Sequence, residues 1–195
     1  MSPLKIISFL IISNCLILFC NAQDSTASKN NKANNFTLLT SGLPDMQERN
    51  ARDVVAEKWK IQFRPVAACM VPKELRDSIR KHNLIANQTI EKKYGKNWKE
   101  KFEKEVKIEF DKQQIVTNIL DTISFIQKKD QAMQLEGNGL HYHMKPIGHS
   151  KNYAVSVNGW GEINGEDVWV TYYKMKVNYK KRTAELVSDT IEQYK

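Results

Sequence analysis

Cysteine is scarce in this sequence, and long apolar runs are absent beyond its first residues. Of three cysteines in 195 residues, Cys15 and Cys20 lie within the first 22. Those 22 residues carry one charged side chain, Lys5, then an apolar run over 6–19 and a short end at Ala22, which is typical of a cleaved secretory signal. We expect the rest of the chain to lack an internal disulfide and to fold around a hydrophobic core.

Transmembrane segments are also missing after this signal. No later stretch approaches the roughly 18 uninterrupted apolar residues that a membrane span needs. The sequence predicts an exported protein, periplasmic or extracellular after cleavage near Ala22. A lipid anchor on Cys20 is the alternative, but Phe19 occupies the position before it, where lipoprotein signals have a small residue.

One cysteine, Cys69, remains in the predicted mature chain. Its neighbours over 66–71 are apolar, which favours a buried thiol that packs as a small hydrophobic side chain. A lone cysteine in an oxidising compartment can also pair with a second chain. A covalent homodimer through Cys69 is therefore a structural alternative.

Motifs for catalysis and for nucleic-acid binding are absent. The sequence has no serine-histidine-acid arrangement, no phosphate-binding glycine loop and no nucleic-acid module, so we expect a binding protein rather than an enzyme, with no specific nucleic-acid partner. The formal net charge of +8 falls by one, to +7, when Lys5 leaves with the signal, which favours non-specific attraction to anionic surfaces. Lysines over 91–112 alternate with glutamates, which indicates a solvated helix face: Glu91, Glu100, Glu103, Glu105 and Glu109.

The composition divides the chain into three predicted segments. After the signal over 1–22, a polar stretch over 23–44, rich in Asn, Ser and Lys, predicts a flexible leader. The remaining residues, 45–195, suit a single domain. Within it we predict a helical part over 45–130 and a β-meander over 140–191.

A stripe of apolar residues at four-residue spacing marks the helical part: Ile90, Tyr94, Trp98, Phe102, Val106 and Phe110. Each step of four residues advances about 40° around a helix axis, so the stripe requires a bend. Gly95 suits a helix end, and Asn97 with Glu100 matches the cap of a new helix. The sequence predicts helices over 45–58, 73–94 and 98–112, with helical spacing continuing to residue 126.

The spacing changes to alternation in the last third of the chain. The Asn-Gly pair at 164–165 predicts a hairpin turn, and the tyrosines at 172–173 break the alternation and predict a bulge. These signals predict a three-stranded antiparallel meander, joined by a fourth strand from 141–144 or from 59–71. The predicted fold class is α+β, with helices packed on one face of a three- to four-stranded antiparallel sheet. A cystatin-like layout has this arrangement and assigns no chemistry.

One helical run carries a family resemblance. The residues IEKKYG over 90–95, followed by Trp98 and by FEK over 102–104, resemble a small family of exported bacterial domains of uncharacterised function that contain an FEKKY-like run. The resemblance covers about 52–112, and Ile90 stands where that run has Phe. It implies an exported bacterial protein and no defined activity.

The β-rich half carries the main candidate binding site. Trp160 lies in a glycine-rich strand, and alternation places Trp169 and Tyr173 on the face opposite to Val168 and Val170. If helices cover the valine face, the other face presents these aromatics to a ligand; alternatively, they fill the core between sheet and helices. We therefore predict an exported small binding protein whose ligand is an unknown protein, peptide or glycan.

Three histidines provide an alternative site. His141 and His143 lie on one face of an extended segment, and a turn at 146–148 can bring His149 back towards them. Three imidazoles can hold a transition metal such as zinc, which suggests a small metal-dependent hydrolase or metalloprotein. Apart from this alternative, the sequence predicts no cofactor.

Overall fold

The computed structural model of the chain describes residues 36–42, 46–68 and 70–194. The predicted signal, most of the predicted leader and Cys69 lie outside these residues. In chain order the elements are β1 (Phe36–Ser41), α1 (Met46–Trp59), β2 (Ile61–Ala67), α2 (Lys73–Tyr94), α3 (Trp98–Leu120), α4 (Ser124–Leu135), β3 (His141–Pro146), β4 (Asn152–Ile163), β5 (Glu166–Asn178), β6 (Thr183–Ser188) and β7 (Glu192–Gln193).

A first core lies between α1, α2, the first half of α3 and a two-stranded sheet of β1 and β2. The strands pair in parallel, with Phe36 opposite Ile61, and Leu38 is buried. The structure thereby corrects the predicted leader, because residues 36–41 form a strand. A parallel partner lies far along the chain, so local composition does not reveal the pairing. The structure also shows that β2 belongs to this small sheet and not to the meander.

The larger sheet is antiparallel, in the order β3-β4-β5-β6, with β7 also beside β5. The predicted hairpin turn is confirmed, because Asn164 and Gly165 both have positive φ, 57° and 83°. The predicted bulge is confirmed as well, since Val157 pairs with Tyr173 whereas the next residue of β4 pairs with Thr171. Tyr172 is therefore the extra residue of β5.

Helices α3 and α4 pack against one face of this sheet, as the predicted α+β class requires. The second core joins side chains of both helices to side chains of three strands: Val116, Leu120, Ile126, Met144, Tyr153, Val155, Val157, Met175 and Val177. Helix α3 contributes to both cores, because its first half supplies Trp98, Phe102 and Val106 to the first.

The junction of α2 and α3 has the predicted bend at Gly95. Its φ is +93°, and its N–H donates to the Glu91 carbonyl. Asn97 is the N-cap residue of α3, as predicted, but its side chain makes no capping hydrogen bond. Helix α3 also runs past residue 112 to Leu120, since packing of its later turns against the sheet offsets the poor helix propensity of its β-branched residues. Among the described helices, none is long and apolar enough to span a membrane.

Candidate functional site

The face of the larger sheet that points away from α3 and α4, here called the outer face, carries aromatic and charged side chains. Directly paired residues share a face, so the buried Val157 and its partner Tyr173 mark the helix side. By alternation, the pairs of Trp160 with Trp169 and of Asn158 with Thr171 mark the outer face.

Five rings form an outer aromatic cluster: His141, His143, Trp160, Trp169 and Tyr194. The Trp169 ring lies between His141, at 5.2 Å between centroids, and Trp160, at 5.6 Å and nearly perpendicular. Tyr194 lies beside them, because its N–H donates to the Trp169 carbonyl and its ring is 6.3 Å from that of His143. Trp160 is 49% exposed, so the cluster is open to solvent at the two tryptophans.

Two glycines explain why Trp160 is directed outward. A Cβ on Gly159 would lie 2.4 Å from the Met133 side chain, and one on Gly161 would lie 2.6 Å from the Tyr172 hydroxyl. Only glycine at both positions lets α4 and Tyr172 pack this closely on the helix side. The Tyr172 hydroxyl also donates to the Trp160 carbonyl and so fixes the backbone that carries the indole.

A buried polar pair forms the floor of the cluster. The Thr171 hydroxyl donates to the Asn158 side-chain oxygen at 2.9 Å, and each residue is only 3% exposed. These polar groups are satisfied by each other, so the cluster rests on a fixed surface.

Basic side chains continue the outer face beyond the aromatic cluster. Small residues of β4, Ala154 and Ser156, lie between larger residues of the neighbouring strands. Ala154 is flanked by Lys145 and Lys176, and Ser156 by His143 and Lys174. All three lysines are exposed. The register therefore describes a trough along β4 with lysines on both sides, which leads to the aromatic cluster. Acidic residues lie on the same face: Glu185 is opposite Lys176, Glu192 forms an ion pair with Lys174, and Glu162 is opposite Asp167 beside Trp160.

Tyr173 does not belong to the outer face, which corrects the predicted trio of aromatic residues. Its ring packs on Phe125 of α4, with centroids 4.9 Å apart. The reason is the bulge, because the extra residue at 172 reverses the side on which the following residue lies. Trp160 and Trp169 are on the outer face, as the alternation of β5 predicts for Trp169.

The three predicted metal ligands lie along β3 and its following turn. His141 and His143 are on the outer face, and His149 is exposed in the turn. Within residues 36–42, 46–68 and 70–194, no group of three or more His, Cys, Asp and Glu side chains is arranged to hold a metal ion. His141 instead packs on Trp169. Burial lowers the pKa of His143, the charge of Lys145 acts in the same direction, and Asp53 opposes both.

A second feature, the edge cleft, was not predicted from the sequence. It has a volume of about 1160 Å³ and lies between α1, α3, β3 and the turn after β3. Its floor holds Glu109, which is 6% exposed and accepts hydrogen bonds from the Tyr153 hydroxyl at 2.6 Å and from the Gln113 amide at 3.2 Å. The expectation of a solvated Glu109 is therefore wrong.

The sequence does contain a signal for this burial. The inward face of α3 runs at alternating steps of three and four residues from Phe102 and Val106 to Val116 and Leu120. The same spacing passes through Glu109 and Gln113, which places both polar residues on the buried side. A polar residue on an apolar helix face must find partners when it is buried, and here Tyr153 supplies one.

Comparisons with protein-family models, with curated proteins and with solved structures found no match for this chain.

Proposed function

We propose that the chain is an exported binding protein that holds a glycan on the outer face of its larger sheet. The observation that carries the proposal is the outer aromatic cluster, in which Trp160 is half exposed beside Trp169. A tryptophan combines a large apolar ring with an N–H donor, so it is a frequent anchor of recognition sites. A large side chain of this kind at the surface, next to a second one, is typical of a binding surface.

The chemistry of the outer face suits a sugar chain. The C–H face of a sugar ring is apolar and can pack on an indole, while its hydroxyl groups can bond to imidazole nitrogens such as those of His141. The trough over Ala154 and Ser156 leaves room for a chain that extends from the aromatic cluster. Lys145 and Lys176 beside it can attract carboxylate or sulfate groups on that chain, whereas Lys174 is already paired with Glu192.

The proposal is tested by calorimetric titration with short oligogalacturonate, an acidic glycan, and with neutral cello-oligosaccharide of the same length. Trp160→Ala is expected to weaken oligogalacturonate binding about thirtyfold, because truncation of a recognition anchor costs roughly 2 kcal/mol. The exposed Ile85→Ala on α2 is the matched control and should leave binding unchanged.

A second variant distinguishes stacking of the sugar on the indole from attraction between charges. Lys176→Gln should weaken binding of the acidic chain and reduce its dependence on salt, because exposed charges act over a Debye length of about 8 Å at physiological ionic strength. The neutral chain should not respond to this substitution. Equal affinities of Trp160→Ala and the unsubstituted protein for oligogalacturonate would contradict the proposal.

A further inference from the structure

We infer that the open edge of β3 binds an extended peptide by strand addition, at a site separate from Trp160. In the sheet order β3-β4-β5-β6, β3 pairs with β4 on one edge, and no other strand in the part of the chain that the structure describes pairs with its second edge. An unpaired edge presents backbone N–H and C=O groups to any chain that reaches it. The inference goes beyond the proposed function, because it needs neither the exposed indole nor the lysines of β5.

Two hydrogen bonds show which backbone groups of β3 face the open edge. Just after the strand, the Ile147 N–H donates to the Asn152 carbonyl at 2.9 Å, which directs residue 147 towards β4. The Tyr142 carbonyl points the other way and accepts from the Asn50 side chain of α1 at 3.1 Å. Because backbone groups alternate along a strand, the N–H and C=O of Met144 point to the open edge like those of Tyr142.

The Asn50 side chain lies where a strand added to the open edge of β3 would lie. Its side-chain N–H₂ bonds to the Tyr142 carbonyl as a backbone N–H of an added strand would. One step further along, the outward groups of Met144 have no partner strand among the described residues. Pro146 has no N–H, so the donors of this edge end at Met144.

The space beside the open edge of β3 determines what kind of chain can bind there. The edge cleft, about 1160 Å³, and a second cavity of about 540 Å³ share four lining residues: Asn50, Asp53, His143 and Met144. The two spaces thus follow β3 on both sides of the Asn50 contact. Helix α1 stands next to the edge and blocks the approach of another sheet, so a second copy of the chain cannot pair there edge to edge. A single extended peptide, which is only one strand wide, fits instead.

The test uses a phage-displayed library of random linear peptides selected against the whole protein. Selected peptides are expected to slow hydrogen exchange of the Met144 amide by about tenfold or more, because strand addition gives this N–H a hydrogen-bond partner strand. Amides of His143 and Lys145 already point to β4 and should change little. In the peptide, N-methylation of residues whose N–H groups face β3 should weaken binding about tenfold. N-methylation of the residues between them should have little effect.

Two substitutions test whether the peptide binds in the edge cleft or on another surface. Glu57→Trp fills the edge cleft from an exposed position on α1 and should abolish peptide binding, whereas the exposed Lys81→Trp on α2 is the matched control and should retain it. Trp160→Ala should also retain peptide binding, so failure of the glycan proposal leaves this one testable. The inference is overturned if no peptide is selected, if bound peptides leave the Met144 amide unprotected, or if Glu57→Trp binds them normally.

Discussion

Glu109 and Tyr153 form a polar contact inside the molecule, where α3 faces β4. The Tyr153 hydroxyl donates to Glu109, and the Tyr142 hydroxyl donates to Asp121 in the same way at 2.7 Å. Burial raises the pKa of both tyrosines, and the hydrogen bond to a carboxylate raises each further. Both phenols are therefore held in the neutral form in the folded protein.

This arrangement predicts a loss of stability at high pH. The folded pKa of each tyrosine lies above the unfolded value of about 10, so the contribution is fully present below about pH 10 and is lost as the pH rises further. We expect the free energy of unfolding in urea to fall by up to about 1.4 kcal/mol per pH unit above that pH for the buried Tyr153, and by less for the partly exposed Tyr142. Tyr153→Phe should reduce this slope. An unchanged slope in Tyr153→Phe would show that the phenol ionises without penalty.

Individual elements show what the sequence could predict and what it could not. The hairpin turn and the bulge follow from residues that are adjacent in the chain, so both were predictable. The side on which Tyr173 lies depends on its pairing with Val157, which is distant in sequence. For the same reason β1 was predicted as leader, because its parallel pairing with β2 is not local.

The candidate site was predictable to a similar degree. Alternation indicated Trp169 as an outer-face residue, and the glycine-rich strand drew attention to Trp160. Tyr194 was missed, since only the pairing of β7 with β5 brings it beside Trp169. The lysine-sided trough was missed because it combines residues of three strands whose register the sequence does not specify.

The bend between α2 and α3 depends on one glycine. Gly95 has φ +93° and ψ 166°, a region that is essentially restricted to glycine. Gly95→Ala is expected to lower the free energy of unfolding by about 1–3 kcal/mol, because the backbone is strained even though a Cβ would meet no close atom. Urea denaturation measures the change. Gly139→Ala, where φ is not positive and a Cβ would be 3.7 Å from Asp130, is the control and should cost less. Equal costs would argue against the backbone explanation.

At the scale of the whole molecule, α3 connects the two cores. Its first half packs into the first core and its second half into the second, so loss of either core removes support from the same helix. We expect Phe102→Ala in the first core and Val157→Ala in the second each to shift a single unfolding transition, with Phe102→Ala costing about 3–5 kcal/mol. Tryptophan fluorescence and far-ultraviolet circular dichroism should give the same midpoint. Separate midpoints would show that the two cores unfold independently.

The outer aromatic cluster is proposed as the binding surface, and the four tryptophans of the chain provide a direct test. Trp160 and Trp169 lie on the outer face, whereas Trp59 and Trp98 are buried in the first core. The decisive measurement is an NMR titration of isotope-labelled protein with oligogalacturonate, which follows the four indole N–H signals. The proposed binding surface predicts that the signals of Trp160 and Trp169 shift while those of Trp59 and Trp98 stay in place. Saturable binding that leaves the Trp160 and Trp169 signals unmoved, or no binding at all, would contradict it.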